Sequence, residues 1–312
     1  MKRIMSLVAI ILIVFLLSAC SENAIETYKT AMENTENLES GKTRTTIKID
    51  NQFVTDNLTE KELDEIEKFE NIEITATTMY DRVNQKIQTN LYYKYGNVGY
   101  DFLIYITEGN GYIKFPMENK FLEVSKLFKS LENLEELDED EASSELFNKI
   151  SDKWLEMLQK DNVIRGGKSV MDTDDGDVKV TEYTIEPSND QLFMFLFDVI
   201  KIIEDNKQAL EDFVDFDQNE SLDVTFQEIL AELEDVSFSY KSYIDIDNYI
   251  VSEDINFGYK ATKNETDVSI KVEYWENNIS QEINLPDFSN DNLLDEDELD
   301  EKYKFELGKI GE

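Results

Sequence analysis

Hydrophobic and polar positions change period several times along the chain, and each change marks an element. Over residues 21–38, Ile25, Tyr28, Ala31, Met32 and Leu38 fall near helical spacing and Ser40-Gly41 supplies a stop, which predicts an amphipathic helix. From Lys42 the period drops to two. Thr43, Thr45, Ile47 and Ile49 alternate with Arg44, Thr46, Lys48 and Asp50, the pattern of a strand with one wet face. Residues 54–70 set Leu58, Leu63, Ile66 and Phe69 among acids and predict a short exposed helix interrupting the sheet. Alternation resumes through Ile72, Ile74, Ala76, Thr78 and Tyr80, and again through Ile87, Thr89, Leu91 and Tyr93, with Asp81-Arg82-Val83-Asn84 as the hairpin turn between them. A further run covers 100–107, and Asn110-Gly111 reads as the turn into a run at 112–115.

The middle of the chain turns helical. Leu127, Leu131 and Leu134 belong to one segment, and Leu146, Phe147, Ile150, Trp154, Met157 and Leu158 to the next, which Ser143-Ser144-Glu145 would start. Strand character returns at Val178, Val180, Glu182 and Thr184 after an Asp-rich turn at 172–177. A helical pair at 189–216 and 222–234 follows, then strands at 236–246, 249–260 and 268–275, the first two joined at Asp247-Asn248. Eight or nine strands with helices gathered in the middle predict one α+β domain over 20–285, with helices over one face of a curved antiparallel sheet. The two meanders share a rhythm, Tyr80-Asp81 to Ile87 beside Ile246-Asp247 to Ile250, which reads as a faint internal repeat. Residues 286–312 are an acid-rich tail with little periodicity, expected to be loose and solvated.

The first 19 residues stand apart from this pattern. Lys2 and Arg3 precede a run from Ile4 to Leu17 in which Ser6 is the one polar residue, a charged and then apolar sequence of signal-peptide type. The run is shorter than the roughly 20 apolar residues a permanent membrane helix needs. Leu17-Ser18-Ala19-Cys20 follows and resembles a bacterial lipobox: a branched apolar residue, two small residues, and a cysteine that receives a diacylglyceryl group. Cys20 is the sole cysteine, so no disulfide can form within one monomer. Two or more acyl chains on Cys20 would anchor the mature protein stably to a membrane.

Composition narrows the chemistry. The whole chain carries 30 basic and 69 acidic residues, a net charge of −39, and cleavage before Cys20 would remove two bases and no acid. Such a chain is repelled by nucleic acid and by anionic headgroups. Histidine is absent, which excludes Ser-His-Asp and Cys-His catalysis and the usual histidine-bearing zinc sites. No pair stands out among so many carboxylates as a glycosidase acid/base set, and the run Glu132, Glu135, Glu136, Asp138, Glu139, Asp140 and Glu141 reads as a solvated charge run. No catalytic residue and no cofactor is expected, and a carboxylate-dependent hydrolase is the least favoured class.

The element order, with Tyr28-x-x-Ala31-Met32, Gly111-Tyr112-Ile113-Lys114, Thr173-x-x-Gly176-Asp177-Val178 and Thr181-x-x-Thr184, resembles the LolA/LppX-like lipoprotein superfamily, in particular its Gram-positive lipoproteins. The resemblance implies an incomplete β-barrel closed by helices, with a hollow in which several members carry lipids or lipoproteins. It implies no catalytic residues. This chain departs from the pattern in its length, its acidity, the 54–70 insertion, the acidic tail and its own anchor, which argue against a shuttling carrier.

Two groups of residues remain as candidate sites. Leu192-Phe193-Met194-Phe195-Leu196-Phe197, continued by Val199, Ile200, Ile202 and Ile203, is apolar nearly all round, so it is either buried on several sides or lines a cavity. Phe193, Phe195, Leu196, Phe197 and Ile200 are the expected lining, with Ile74, Leu91, Tyr93, Phe102 and Ile104 facing the same hollow from the sheet; plain core packing is the alternative for all ten. Asp172, Asp174, Asp175, Gly176 and Asp177 suggest calcium, but the EF-hand frame places Met171 and Thr173 at ligand positions, so a solvated turn is the better reading and no metal is expected. The sequence thus points to a lipoprotein on the extracytoplasmic face of a membrane, at a Gram-positive cell surface, with a hydrophobic or amphiphilic ligand. The alternative is a surface structural or protein-interaction module with a filled core.

Overall fold

The computed structural model describes residues 24–55, 59–124, 139–205, 233–261 and 264–294. Cys20, the acid run up to Asp138, the segment at Leu127 to Leu134, residues 206–216 of the expected helix at 189–216 and residues 222–232 of that at 222–234 lie outside them; Leu233 and Glu234, expected to end the latter helix, are strand. Within them the chain forms α1 (Ala24–Glu36), β1 (Ser40–Phe53), α2 (Glu60–Glu67), β2 (Asn71–Asp81), β3 (Lys86–Tyr95), β4 (Val98–Thr107), β5 (Asn110–Lys114) and β6 (Leu122–Glu123). There follow α3 (Glu139–Met157), β7 (Val163–Thr173), β8 (Gly176–Ile185), α4 (Asn189–Asp205), β9 (Leu233–Asp245), β10 (Ile250–Ala261) and β11 (Asn264–Trp275).

All eleven strands join one curved, unclosed antiparallel sheet in the order β6-β5-β4-β3-β2-β1-β11-β10-β9-β8-β7. The first strand lies at the centre beside the last, with Ile47 opposite Ile270 and Lys42 opposite Trp275. One meander runs outward from β1 to β6 and the other returns inward from β7 to β11. The α+β class and the antiparallel meanders expected from the alternation are present, with two more strands than expected.

The two additional strands are the edges. β6 has two residues and no room for a pattern. β7 contains Gly166-Gly167 at a register shift between Arg165 and Lys168, and it is exposed over most of its length, so its sequence looks like a loop. The bulge and its flanking cations also blunt this edge against further pairing. A second difference is the turn into β5. It falls on Glu108-Gly109, both at positive φ (50° and 75°), and Asn110 already pairs with Thr107. A two-residue turn with both φ positive matches the twist of a hairpin, and Glu108-Gly109 supplies it two residues before the Asn-Gly signal.

Strand pairing defines two ends of the sheet. β1 ends, β2 begins, β3 ends and β4 begins at one rim, here the upper rim, which also holds the start of β9, while β7 starts level with Ile47, midway along β1. The turns after β2 and β9 lie at the lower rim. At that lower end Thr35 Oγ1 accepts from the Ile250 amide at 2.9 Å and Asn34 Nδ2 donates to the Asn248 carbonyl at 3.0 Å, which fixes the end of α1 there. A helix of this length is about 20 Å long, so α1 begins toward the upper rim, where it meets the short 3₁₀ turn Lys160–Asn162 before β7. Ser40 and Gly41 are strand residues, and α1 stops earlier, at Glu36.

The core lies between α1, α3, α4 and the β7–β10 arm. Ile25, Tyr28, Ala31, Trp154, Leu158, Val163, Tyr183, Ile185, Leu192, Tyr240, Ile244 and Ile250 form one buried cluster. Each buried Ile or Leu contributes about 1.5–3 kcal/mol of transfer free energy.

Two loops make contacts that the sequence pattern does not predict, one of them the Asp-rich turn, which is exposed as expected. The tip of the β7–β8 hairpin reaches across to the centre of the sheet, where Arg44 donates to Asp174 at 2.8 Å and the Glu276 amide donates to Asp175 Oδ2 at 2.8 Å. Asp174 and Asp175 thus accept from protein donors while the turn stays exposed. Residues 287–294, placed in the loose tail, are docked: Phe288 stacks on Tyr112 (3.8 Å between centroids, 6° between planes) and meets Tyr105 and Phe121 edge-on. Phe121 donates its amide to the Asn292 carbonyl and accepts from the Leu294 amide, which covers the β6 edge. Aromatic burial outweighs the solubility of the neighbouring acids there.

Candidate functional site

Residue parity along the paired strands places one continuous apolar face on the sheet. Tyr100, Tyr93, Ile74, Ile47, Ile270, Ile255, Tyr240 and Ile185 form one cross-strand row over eight strands. The neighbouring rows contain Phe102, Leu91 and Ala76, and Ile113, Ile104 and Thr89. Ile74, Leu91, Tyr93, Phe102 and Ile104 therefore share a face, as expected. It is the face on which the helices sit, because Tyr28 of α1 and Trp154 of α3 both pack on Tyr240. On β2–β4 these side chains are only half-buried.

A cleft of about 80 Å³ opens where α4 crosses the upper part of β9 and β10. Leu192, Phe193, Phe195 and Leu196 form one wall, Val236, Phe238 and Phe257 the other, and Trp154 and Asn189 complete it. Trp154 stands edge-on to Phe195 at 5.3 Å and tilted against Phe238 at 6.1 Å. Of the expected lining residues on α4, Phe193, Phe195 and Leu196 stand in this wall.

Phe197 does not. It is 41% exposed and Met194 is 70% exposed. Position 197 lies about 140° around the helix from Leu192 at 3.6 residues per turn, which points it away from the sheet. The segment is amphipathic, with an unusually apolar outer side. Ile200 is half-buried and outside the cleft wall. Ile74, Leu91, Tyr93, Phe102 and Ile104 lie on β2–β4, separated from the cleft strands by β1 and β11. The strand wall that meets α4 is Val236, Phe238 and Phe257. Their signal was present in the alternation Val236-Phe238-Tyr240 and Ile255-Phe257, but choosing that arm required the strand order.

Below the cleft on the same face is a polar network. Trp154 Nε1 donates to the Tyr28 hydroxyl at 2.9 Å, and Tyr28 donates to Tyr240 at 3.0 Å. Tyr240 donates to Glu253 Oε1, and Tyr274 donates to Oε2 at 3.0 Å. Glu253 as a whole keeps partial exposure, but desolvation around its carboxylate pushes its pKa up, against the lowering effect of the two tyrosine hydrogen bonds. The same burial raises Tyr28, Tyr240 and Tyr274. This network binds helix to sheet. Among the described residues no group of three or more acidic or cysteine side chains is arranged to hold a metal.

No family model matches this chain, and no curated protein matches it. Among solved structures, it is similar to a DUF1329 family protein from Desulfovibrio piger at 9% identity, covering 85% of this chain and 97% of that one, with a TM-score of 0.23. It is also similar to a β-barrel-like protein of the domain of unknown function DUF1849 from Brucella abortus at 7% identity, covering 77% and 100% of the two chains, with a TM-score of 0.21.

Proposed function

We propose that this chain is a lipoprotein anchored through Cys20 on the extracytoplasmic face of a membrane, and that it binds a hydrophobic or amphiphilic ligand between sheet and helices. The observation that supports binding is the apolar face that continues beyond the helices. Ile47, Ile72, Ile74, Leu91, Ile104 and Ile113 remain half-buried on it, and the wholly aromatic and aliphatic strand wall of the cleft lies on the same face. Apolar area of this extent is what a carrier of an acyl or isoprenoid chain presents. The LolA/LppX-like strings support the same reading. No chemical step is assigned to this face.

One observation favours the alternative, a surface module with a filled core. The cleft, at about 80 Å³, is well below the roughly 300 Å³ at which ligand pockets begin. Residues 21–312, expressed without the leader and examined by native mass spectrometry, separate the two. A carrier retains a lipid adduct and takes up a fluorescent fatty acid saturably, whereas a filled module shows neither. The anchor has its own test: Cys20→Ser should release the chain from membranes, and lipid labelling that persists in the variant would refute the assignment.

A further inference from the structure

Four of the apolar side chains left exposed on the first arm gather at one end, while Val83 stands at the opposite turn and Met117 follows β5. Val54 follows β1, Leu63 lies on α2, Phe69 precedes β2 and Val98 opens β4, so all four lie at the upper rim, and all are exposed. Phe69 stacks on Tyr95 (6.5 Å, 24°), and Tyr95 lies directly across from Val98. The segment after α2 is held against the β3–β4 turn: Gly96, at φ +53°, sits so close to Lys68 that a Cβ there would come within 3.2 Å of its Cα. From this rim a ladder of rings leads down the helix-bearing face through Tyr93, Tyr100 and Phe102 to Phe115. Phe69, Tyr93 and Tyr100 each stack on Tyr95, whereas Phe102 is tilted against Tyr100 and edge-on to Phe115, a run of rings that suits an apolar neighbour such as acyl chains.

The position of α1 selects the partner. It begins at Ala24, one helical turn above the Tyr28–Tyr240 contact and so about level, by cross-strand pairing, with the start of β4; three residues lie between Ala24 and Cys20, a span of at most about 14 Å. An anchor on Cys20 therefore holds this end of the sheet against the bilayer and the β2–β3 and β9–β10 turns away from it. The cleft, beside Val236 near the start of β9, lies toward the same end. We propose that the upper rim, with Phe69, Tyr95 and Val98 at its centre, rests in the interface of the bilayer that carries the anchor, so that the apolar face opens toward lipid. This orientation rests on the lipoprotein reading above; it does not require that a ligand be bound.

The test uses the full-length, acylated chain in phosphatidylcholine vesicles. With Cys20 blocked by its acyl chains, Val98→Cys at the upper rim and Val83→Cys at the exposed lower turn each provide one thiol for an environment-sensitive fluorophore. Nitroxide-labelled lipid should quench the label at 98 by about half, as for a group a few ångströms into the headgroup region, and leave the label at 83 untouched. Phe69→Ser should weaken quenching at 98 with the circular dichroism spectrum unchanged. Equal quenching at the two positions, or quenching at 83 alone, overturns the orientation. Intact mass separates the two failures: an unacylated Cys20 overturns the anchor and the orientation together, whereas an acylated chain with a water-exposed label at 98 overturns the orientation alone.

Discussion

The Tyr240 hydroxyl donates to Glu253 on the adjacent strand, diagonally across the β9–β10 pair, and through Tyr28 and Trp154 that contact ties α1 and α3 to the sheet. Trp154→Phe keeps the ring against Phe195 and removes the donor to Tyr28. A net loss of about 1 kcal/mol is expected, rising to as much as about 3 because the Tyr28 oxygen is left in a buried site. Urea denaturation at fixed pH measures it. A variant as stable as the parent would show that the indole only packs.

Glu253 makes stability depend on pH. Desolvation raises its folded-state pKa above the ordinary value of 4.5, so the folded state prefers the neutral acid. Its stabilising contribution is complete below that ordinary value and is lost as pH rises through the folded one. Glu253→Gln removes this slope. The unfolding free energy of the variant relative to the parent should increase from about pH 4 and level off once the pH has passed the folded-state pKa. Parallel curves would show that the two tyrosine hydrogen bonds cancel the burial.

The cleft wall can be filled without disturbing the network beneath it. Leu196→Trp adds ring volume to a space of about 80 Å³ and should reduce fatty-acid uptake by about tenfold, equivalent to about 1.4 kcal/mol. Met194→Trp, on the exposed side of the same helix, is the control and should leave uptake unchanged. Equal losses in both would place the binding site elsewhere.

Phe288 anchors the C-terminal segment on the sheet edge. Phe288→Ala should cost about 1–3 kcal/mol, less than a fully buried phenylalanine because the ring is half-buried. Hydrogen exchange should show amides of β5 and β6 losing protection before those of β1 and β11. Unchanged exchange in β5 would mean that the segment merely rests on the edge.

Much of this architecture was legible in local pattern. Strands with one wet face, such as Thr43 to Ile49, alternate because their two sides meet different media, and α1 shows its buried side in Ile25, Tyr28 and Ala31. Edge strands do not carry that signal: β7 has one neighbour and a double-glycine bulge. The tail looked soluble because its acids outnumber its rings, yet Phe288 and Leu294 decide where it lies. The candidate site was half legible. Period 3.6 gives the face of α4, and ignoring it put Phe197 in the wall. Which strands oppose that helix depends on sheet order, which no local window contains. The repeat in rhythm has a physical basis one step removed from where it was read, since Asp81 and Asp245 each accept amides of the following turn, Asp81 from Asn84 and Asp245 from Asp247 and Tyr249.

The pairing of β1 with β11 also determines when the fold can be completed. A ribosome or an export channel delivers β1 early, but the strand that must lie along its other side is the last of the eleven to emerge. Until then the centre of the sheet is an open edge, and its closure carries the entropy of a loop of about two thirds of the chain, from Phe53 to Asn264. Assembly is thus limited by a contact of very high sequence separation, the condition for slow folding. A chain stalled or cut before β11 keeps its first meander with a bare, isoleucine-bearing margin at Ile47 and Ile49, a surface for holding factors to shield and for aggregation to exploit.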